Sequence, residues 1–238
     1  MTVDLLVVAA HPDDAELAVG GTLLVAKQHG QTTAVVDLTR GELSSRGDLE
    51  TRGRETAAAT ELLGLDHREN LDLPDGGVRD DHEARQRLVA AIRRLRPRLV
   101  LAPWKEDLHA DHAGAGLLLE RAWYLCGVGK FAAGDEPYRP ELIGWYMCHT
   151  AFEATAVTDV SSVWARKQEV VACYGSQFFA PDATGPKTKI SNPNFMAAVE
   201  GRAREWGLRV GCEFGEPLRW EYPPRLTDPL SCLPGGTQ

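Results

Sequence analysis

The chain has 238 residues, 43% of them hydrophobic and 25% charged, which fits a folded globular protein with room for a sizeable core. Lys and Arg total 26 against 34 Asp and Glu, and the net charge of -8 argues against a nucleic-acid or anionic-membrane partner. No apolar run is long enough to span a bilayer, and five scattered cysteines with no Cys-x-x-Cys spacing read as free thiols of a cytoplasmic protein.

Met1-Thr2-Val3-Asp4 runs straight into Leu5-Leu6-Val7-Val8-Ala9-Ala10, so no signal peptide is expected. That short apolar run suits a strand buried on both faces of a parallel sheet. Gly21 to His29 reads as a helix stopped by Gly30, and Thr32 to Leu38 as a second strand. A polar, Gly-rich loop from Thr39 to Asp48 precedes an Ala-rich helix from Thr51 to Leu63. Arg68 to Leu73 is a short strand, Asp80 to Arg96 a helix closed by Pro97, and Leu99 to Ala102 a further strand. This alternation predicts an α/β, Rossmann-like, mostly parallel doubly wound sheet. From about residue 127 to 238 the pattern loosens into a C-terminal extension of a single domain whose core is about residues 1–126. There, Leu142 to Cys148 and Ala154 to Val160 read as strands. Ser161 to Tyr174 reads as a helix with Ser161 as N-cap, and Asn194 to Trp206 as a second helix after a loop from Pro181 to Lys189. The tail after Glu216 is Pro-rich and reads as irregular.

Two clusters carry chemistry. Ala10-His11-Pro12-Asp13-Asp14-Ala15-Glu16 follows the first apolar strand, and Asp107-Leu108-His109-Ala110-Asp111-His112 follows the later one. Ligands of open α/β sheets bind beyond the carboxyl ends of strands where strand order reverses, so the clusters meet there if these strands are neighbours. His11, Asp14 and one of His109 or His112 would give a catalytic zinc ion, one per chain, three protein ligands and an open fourth position. Asp13 adjoins a ligand and is placed to act as general base; the other His is left to stabilise an oxyanion or assist the leaving group, with Asp111 hydrogen-bonded behind it. The alternative for each cluster alone is structural, since Pro and acids favour a helix start. Gly20-Gly21 does not form the dinucleotide fingerprint, which weakens the rival of a non-catalytic nucleotide-binding module.

The two clusters, Ala-His-Pro-Asp-Asp-x-Glu and His-x-Asp-His, make the sequence similar to the LmbE/PIG-L family of metal-dependent deacetylases. Pro103-Trp104-Lys105-Glu106-Asp107-Leu108-His109, Leu73-Pro74-Asp75-Gly76 and Tyr174-Gly175-Ser176-Gln177-Phe178 extend the resemblance to the bacillithiol-biosynthesis branch, over most of the chain. The resemblance implies His11, Asp14 and His112 as metal ligands, Asp13 as general base, and His109 at the tetrahedral intermediate with Asp111 behind it. It also implies a small N-acetylated sugar conjugate, N-acetylglucosaminyl-malate, as substrate, with a chitooligosaccharide, a mycothiol-type conjugate or a nucleotide-linked sugar as the alternative, and a trimer or hexamer as the assembly. Arg52 matches a position facing substrate and is assigned to the malyl carboxylates, with Arg46 and Lys187 as helpers; Phe195 matches a mobile tyrosine and lacks its hydroxyl.

Overall fold

The computed structural model describes residues 2–178, 185–228 and 230. Part of the Pro181–Lys189 loop, residues 181–184, lies outside the described residues. The elements run β1 (Leu5–Ala9), α1 (Asp14–Gln28), β2 (Thr33–Asp37), α2 (Leu49–Leu63), β3 (His67–Asn70), α3 (His82–Leu95), β4 (Leu99–Pro103) and α4 (Ala110–Cys126). They continue with β5 (Leu142–Tyr146), β6 (Ala156–Asp159), a 3-10 turn (Ser161–Val163), α5 (Trp164–Ala172), α6 (Phe195–Val210) and β7 (Gly215–Trp220).

The strands form one sheet in the order β3-β2-β1-β4-β5-β7-β6. The first five are parallel, and β7 runs antiparallel between β5 and β6. All five residues of β1 are buried, because the strand is central and covered on both faces. Leu6 and Val8 point into one core layer with Leu88 and Ile92 of α3 and Leu118 and Leu119 of α4. Leu5, Val7 and Ala9 point into the other, with Leu23 of α1, Leu63 of α2, Val170 of α5 and Ala203 of α6. The chain leaves β1 toward β2 and β3, then returns through α3 to β4 on the other side of β1. Strand order therefore reverses between β1 and β4, whose register pairs Leu5 with Leu99 and Val7 with Leu101. The two motifs leave the sheet at this crevice.

Three local readings need correction. The first helix begins at Asp14, not Gly21, and bends at Val19 (φ -135°, ψ 20°). Glu216 of β7 repairs that bend: its carboxylate accepts the N–H groups of Gly21 (2.9 Å) and Thr22 (2.6 Å) and pairs with Lys167 Nζ at 2.5 Å. A Cβ on Gly21 would stand 2.8 Å from that carboxylate, so the glycine is required by the close approach. Ser161 caps no α-helix. It opens the 3-10 turn, and its hydroxyl accepts the N–H groups of Glu213 and Phe214 while bonding Asp159. The stretch after Glu216 is not irregular until Trp220, because β7 continues through it.

Candidate metal centre and active site

Each motif is positioned by an abrupt strand-to-helix turn. Between Ala9 and Asp14 the backbone reverses through Asp13, whose φ of 119° is strained for a residue with a Cβ. Asp14 is the first residue of α1, and its Oδ2 accepts the His11 N–H at 2.8 Å, which locks the two side chains together. From β4, the loop closes on His109, the N-cap of α4, so His112 sits in the first helical turn. A Cβ on Gly114 would meet the Val78 carbonyl at 2.1 Å; this contact lets α4 come close enough to seat its first turn at the crevice.

Asp14 lies between two imidazoles. Its Oδ2 is 3.4 Å from His11 Nδ1, and its Oδ1 is 3.2 Å from His112 Nε2. The far nitrogen of each ring faces other carboxylates. His11 Nε2 is 3.1 Å from Asp75 Oδ1 and 3.2 Å from Asp111 Oδ2, while His112 Nδ1 is 3.2 Å from Asp107 Oδ1. Ring nitrogens of His11, His109 and His112 also lie within 4.8 Å of one another. Spacing alone thus leaves His109 as a possible donor. The carboxylates separate the candidates, since metal-binding imidazoles are backed by an acceptor that fixes their tautomer. His11 and His112 have one; His109 does not. The donor set of two backed imidazoles and one carboxylate fits a zinc-type ion with an open position.

The charges agree with that fit. Burial opposes a proton on His11, yet Asp111, Asp14 and Asp75 outweigh it and push its pKa to about 12. Burial likewise opposes charge on His112, and Asp14 and Asp107 drive its pKa far up. Four carboxylates therefore draw positive charge onto this cluster. Asp13 behaves differently. Burial raises its pKa to about 7; Arg52 pulls down, and the neighbouring Asp14 pushes up. Burial, followed by the charges of His112 and His11, lowers that of His109.

The cluster opens into a cavity of about 660 Å³. Asp13, His109, Asp111 and Arg46 line it, together with apolar side chains such as Leu17, Ile190 and Val199. Phe195, the first residue of α6, lines it too and stacks on Phe178 with ring centroids 5.9 Å apart. The Gly-rich loop overhangs this space, tied down by Leu43 N–H to Asp75 (2.8 Å) and Ser44 to Gln177 (2.8 Å).

Several sequence assignments change. The Asp111 carboxylate does not stand behind His109. It accepts the N–H groups of Gly76 (2.7 Å) and Val78 (3.0 Å) and faces His11. His109 instead caps its own helix, its Nδ1 accepting the Asp111 N–H at 3.3 Å, which leaves the proton on Nε2. Arg52 is buried and committed: it donates to Asp13 Oδ2 at 3.1 Å and to the Pro12 carbonyl at 2.6 Å. Arg46 donates to the carbonyls of Ser176 and Pro186. Lys187 is exposed and does not line the cavity. The basic side chains that line it without a carboxylate partner among the described residues are Arg46, Arg202 and Lys189. Sequence reasoning gave no role to Arg202 or Lys189, nor to Asp75, Asp107 and Cys148. The signal for Arg202 was its helical spacing with Val199 and Ala203 on the buried face of α6. Glu16, the last motif acid, is structural. It is fully buried and bonds Arg68 at 2.5 Å and the Tyr174 hydroxyl at 2.9 Å.

A doubly wound sheet with imidazoles and carboxylates converging on a cavity at its switch point defines an α/β enzyme of the metal-dependent hydrolase type. The chain belongs to the PIG-L (LmbE) family, whose profile, described as GlcNAc-PI de-N-acetylase, matches residues 6–123. It is 30% identical over 190 residues to diacetylchitobiose deacetylase of Thermococcus kodakarensis, covering 73% of this chain and 70% of that protein. It is 28% identical over 196 residues to 4-oxalmesaconate hydratase of Pseudomonas putida, covering 72% and 73%. Among solved structures, a conserved protein from Thermus thermophilus superposes with a TM-score of 0.86 at 40% identity, covering 95% of this chain and 98% of that one. The N,N'-diacetylchitobiose deacetylase of Pyrococcus horikoshii shares the fold, with a TM-score of 0.80 at 22% identity over 91% and 83% of the chains.

Proposed function

We propose that this chain hydrolyses the acetamide of an N-acetylglucosamine conjugate, releasing acetate and the free amine. The observation that carries the reading is the carboxylate-backed pair His11 and His112 bridged by Asp14, with the raised carboxyl of Asp13 opening into the same cavity. Two nitrogens and a carboxylate suit a hydrolytic zinc ion. Bound there, the ion supplies Lewis acidity toward the acetamide carbonyl and toward water.

The residues of the chain supply the rest. Asp13, with a pKa near neutrality, takes the proton of the attacking water and returns it to the departing nitrogen. His109 is neutral with its proton on Nε2, so it offers one N–H donor to the developing oxyanion without carrying charge. That donor serves where Phe195 has no hydroxyl. Arg52 holds Asp13 through the strained turn and keeps part of its population ionised.

The finer assignment is N-acetylglucosaminyl-malate, giving glucosaminyl-malate and acetate. Its support is the sequence resemblance to the bacillithiol branch, together with Arg202 and Lys189 on the cavity wall, which suit an anionic aglycone. They join Arg46, which also lines the cavity without a carboxylate partner, in the place given to Arg52 and Lys187. The test is acetate release from the malyl conjugate, N-acetylglucosamine and diacetylchitobiose. Release from none of them rejects the deacetylase reading, and equal kcat/KM for all three rejects the malyl assignment alone.

A further inference from the structure

We infer that the Cys148 thiolate is a further donor to this metal centre. The inference rests on the metal reading above and extends its donor set. Cys148 follows β5, two residues beyond its end, at the same carboxyl edge of the sheet as both motifs. Its Sγ, an oxygen of Asp14 and a ring nitrogen of His112 lie within 4.8 Å of one another. The residue lines the cavity, whereas Cys126, Cys173 and Cys212 do not.

The position is built rather than accidental. The carbonyl of Cys148 accepts a hydrogen bond from the Arg202 guanidinium. The next two N–H groups, of His149 and Thr150, both donate to Asp107 Oδ2 at 2.9 Å, and Asp107 is the carboxylate behind His112. The His149 ring stacks on His112 with centroids 5.2 Å apart and planes 3° from parallel. The segment thus wraps the His112 imidazole and holds the sulfur beside Asp14. The sulfur therefore stands where it could share an ion with Asp14 and His112.

On ligation the thiol would give its proton to solvent, and its sulfur would add one donor to His11, Asp14 and His112. Zinc also accepts five donors, so the added sulfur would leave a position for water or substrate. A soft thiolate also favours zinc or cobalt over magnesium or manganese.

The test uses the full chain, stripped with a chelator and titrated with Co(II), followed by absorption spectroscopy. The wild type and Cys173→Ser should show a thiolate-to-cobalt charge-transfer band in the near ultraviolet. Cys148→Ser and Cys148→Ala should lack it and bind Co(II) at least about tenfold more weakly, the minimum expected even for an outer-sphere partner. Tight Co(II) binding by the wild type without the band overturns the Cys148 inference and leaves the His11–Asp14–His112 reading standing. No Co(II) binding overturns both, and a band that survives in Cys148→Ser assigns the sulfur to another residue.

Discussion

Replacing Arg52 by Gln separates two roles for the same side chain. The guanidinium stands 3.1 Å from Asp13 Oδ2, with both side chains nearly excluded from solvent at 5% and 11% exposure. At an effective dielectric constant of about 20, a unit pair at that distance is worth ~5 kcal/mol, or roughly four pH units. Charge spread over both groups reduces this, and an Asp beside an Arg is typically lowered by about one to three units. Loss of the cation therefore moves Asp13 upward from about 7. The base form then appears only at higher pH, so the acidic limb of the kcat/KM profile should climb by about one to three units. A bound ion lowers the starting value without changing the sign. At pH 7 the ionised fraction, and activity with it, should fall by roughly five- to five-hundredfold, while metal content stays intact. Arg52→Lys keeps the charge but not the fork that spans Asp13 and the Pro12 carbonyl, so it should recover only part of the shift. The measurement is acetate release against pH in the three proteins. An acidic limb that stays in place, with loss confined to anionic substrates, would refute the reasoning and return Arg52 to the substrate.

Asp111→Asn and Asp107→Asn remove the carboxylates behind His11 and His112, so each should weaken metal binding by about ten- to a hundredfold in a competitive chelator titration; unchanged affinity would mean that these acids do not orient the ligands. His112→Ala should lose the metal, whereas His109→Ala should keep it and lose about a hundred- to a thousandfold in kcat, and the reverse pattern from metal analysis would exchange the two roles. Arg202→Gln should lower kcat/KM for the malyl conjugate by roughly tenfold or more, as expected for one charge-assisted contact, and leave N-acetylglucosamine nearly unchanged; an equal fall for both substrates would remove Arg202 from selectivity.

Both motifs were legible because each falls within a few residues of a strand end, where local pattern and the switch-point rule act together. His11 and Asp14 are three residues apart and bonded, and His109 and His112 share one helical turn. The residues that complete the site come from elsewhere. Asp75 meets His11 across 64 residues, and Cys148 and Arg202 arrive from the end of β5 and from α6. No periodicity links such positions. The bend in α1 was hidden for the same reason, since Glu216 satisfies it from 195 residues away. Pro217 made β7 read as a loop, because proline cannot donate to a ladder. In the sheet, β5 pairs with β7 only from Leu218 onward, so Pro217 pairs on the β6 side alone, with Val157. Arg52, Arg46 and Asp111 show the opposite limit. Their presence near the site was readable, but their partners depend on side-chain directions that spacing does not fix.

A deacetylase and a hydratase both stand among the relatives, and in the deacetylase reading proposed above the proton transfers fall to Asp13. Both reactions need an activated water. Both also need a proton delivered, to carbon in the hydration and to the departing nitrogen in the amide hydrolysis. A carboxyl at the ordinary value near 3.8 would accept the water proton poorly and be almost wholly ionised at neutrality. Raised to about 7 by burial and by Asp14, against Arg52, the same group both takes and gives a proton with little loss in either direction. Asp13→Asn keeps the size and the Arg52 neighbour but can do neither. It should retain the metal and lose deacetylation by about two to four orders of magnitude in kcat, the range for general acid–base catalysis. Its pH profile should also lose the acidic limb, since no group titrating near 7 remains in that role. Loss of metal in this variant would make Asp13 a ligand. Residual activity with the acidic limb intact would assign the proton transfer to another group in the cavity, with His109 the nearest alternative.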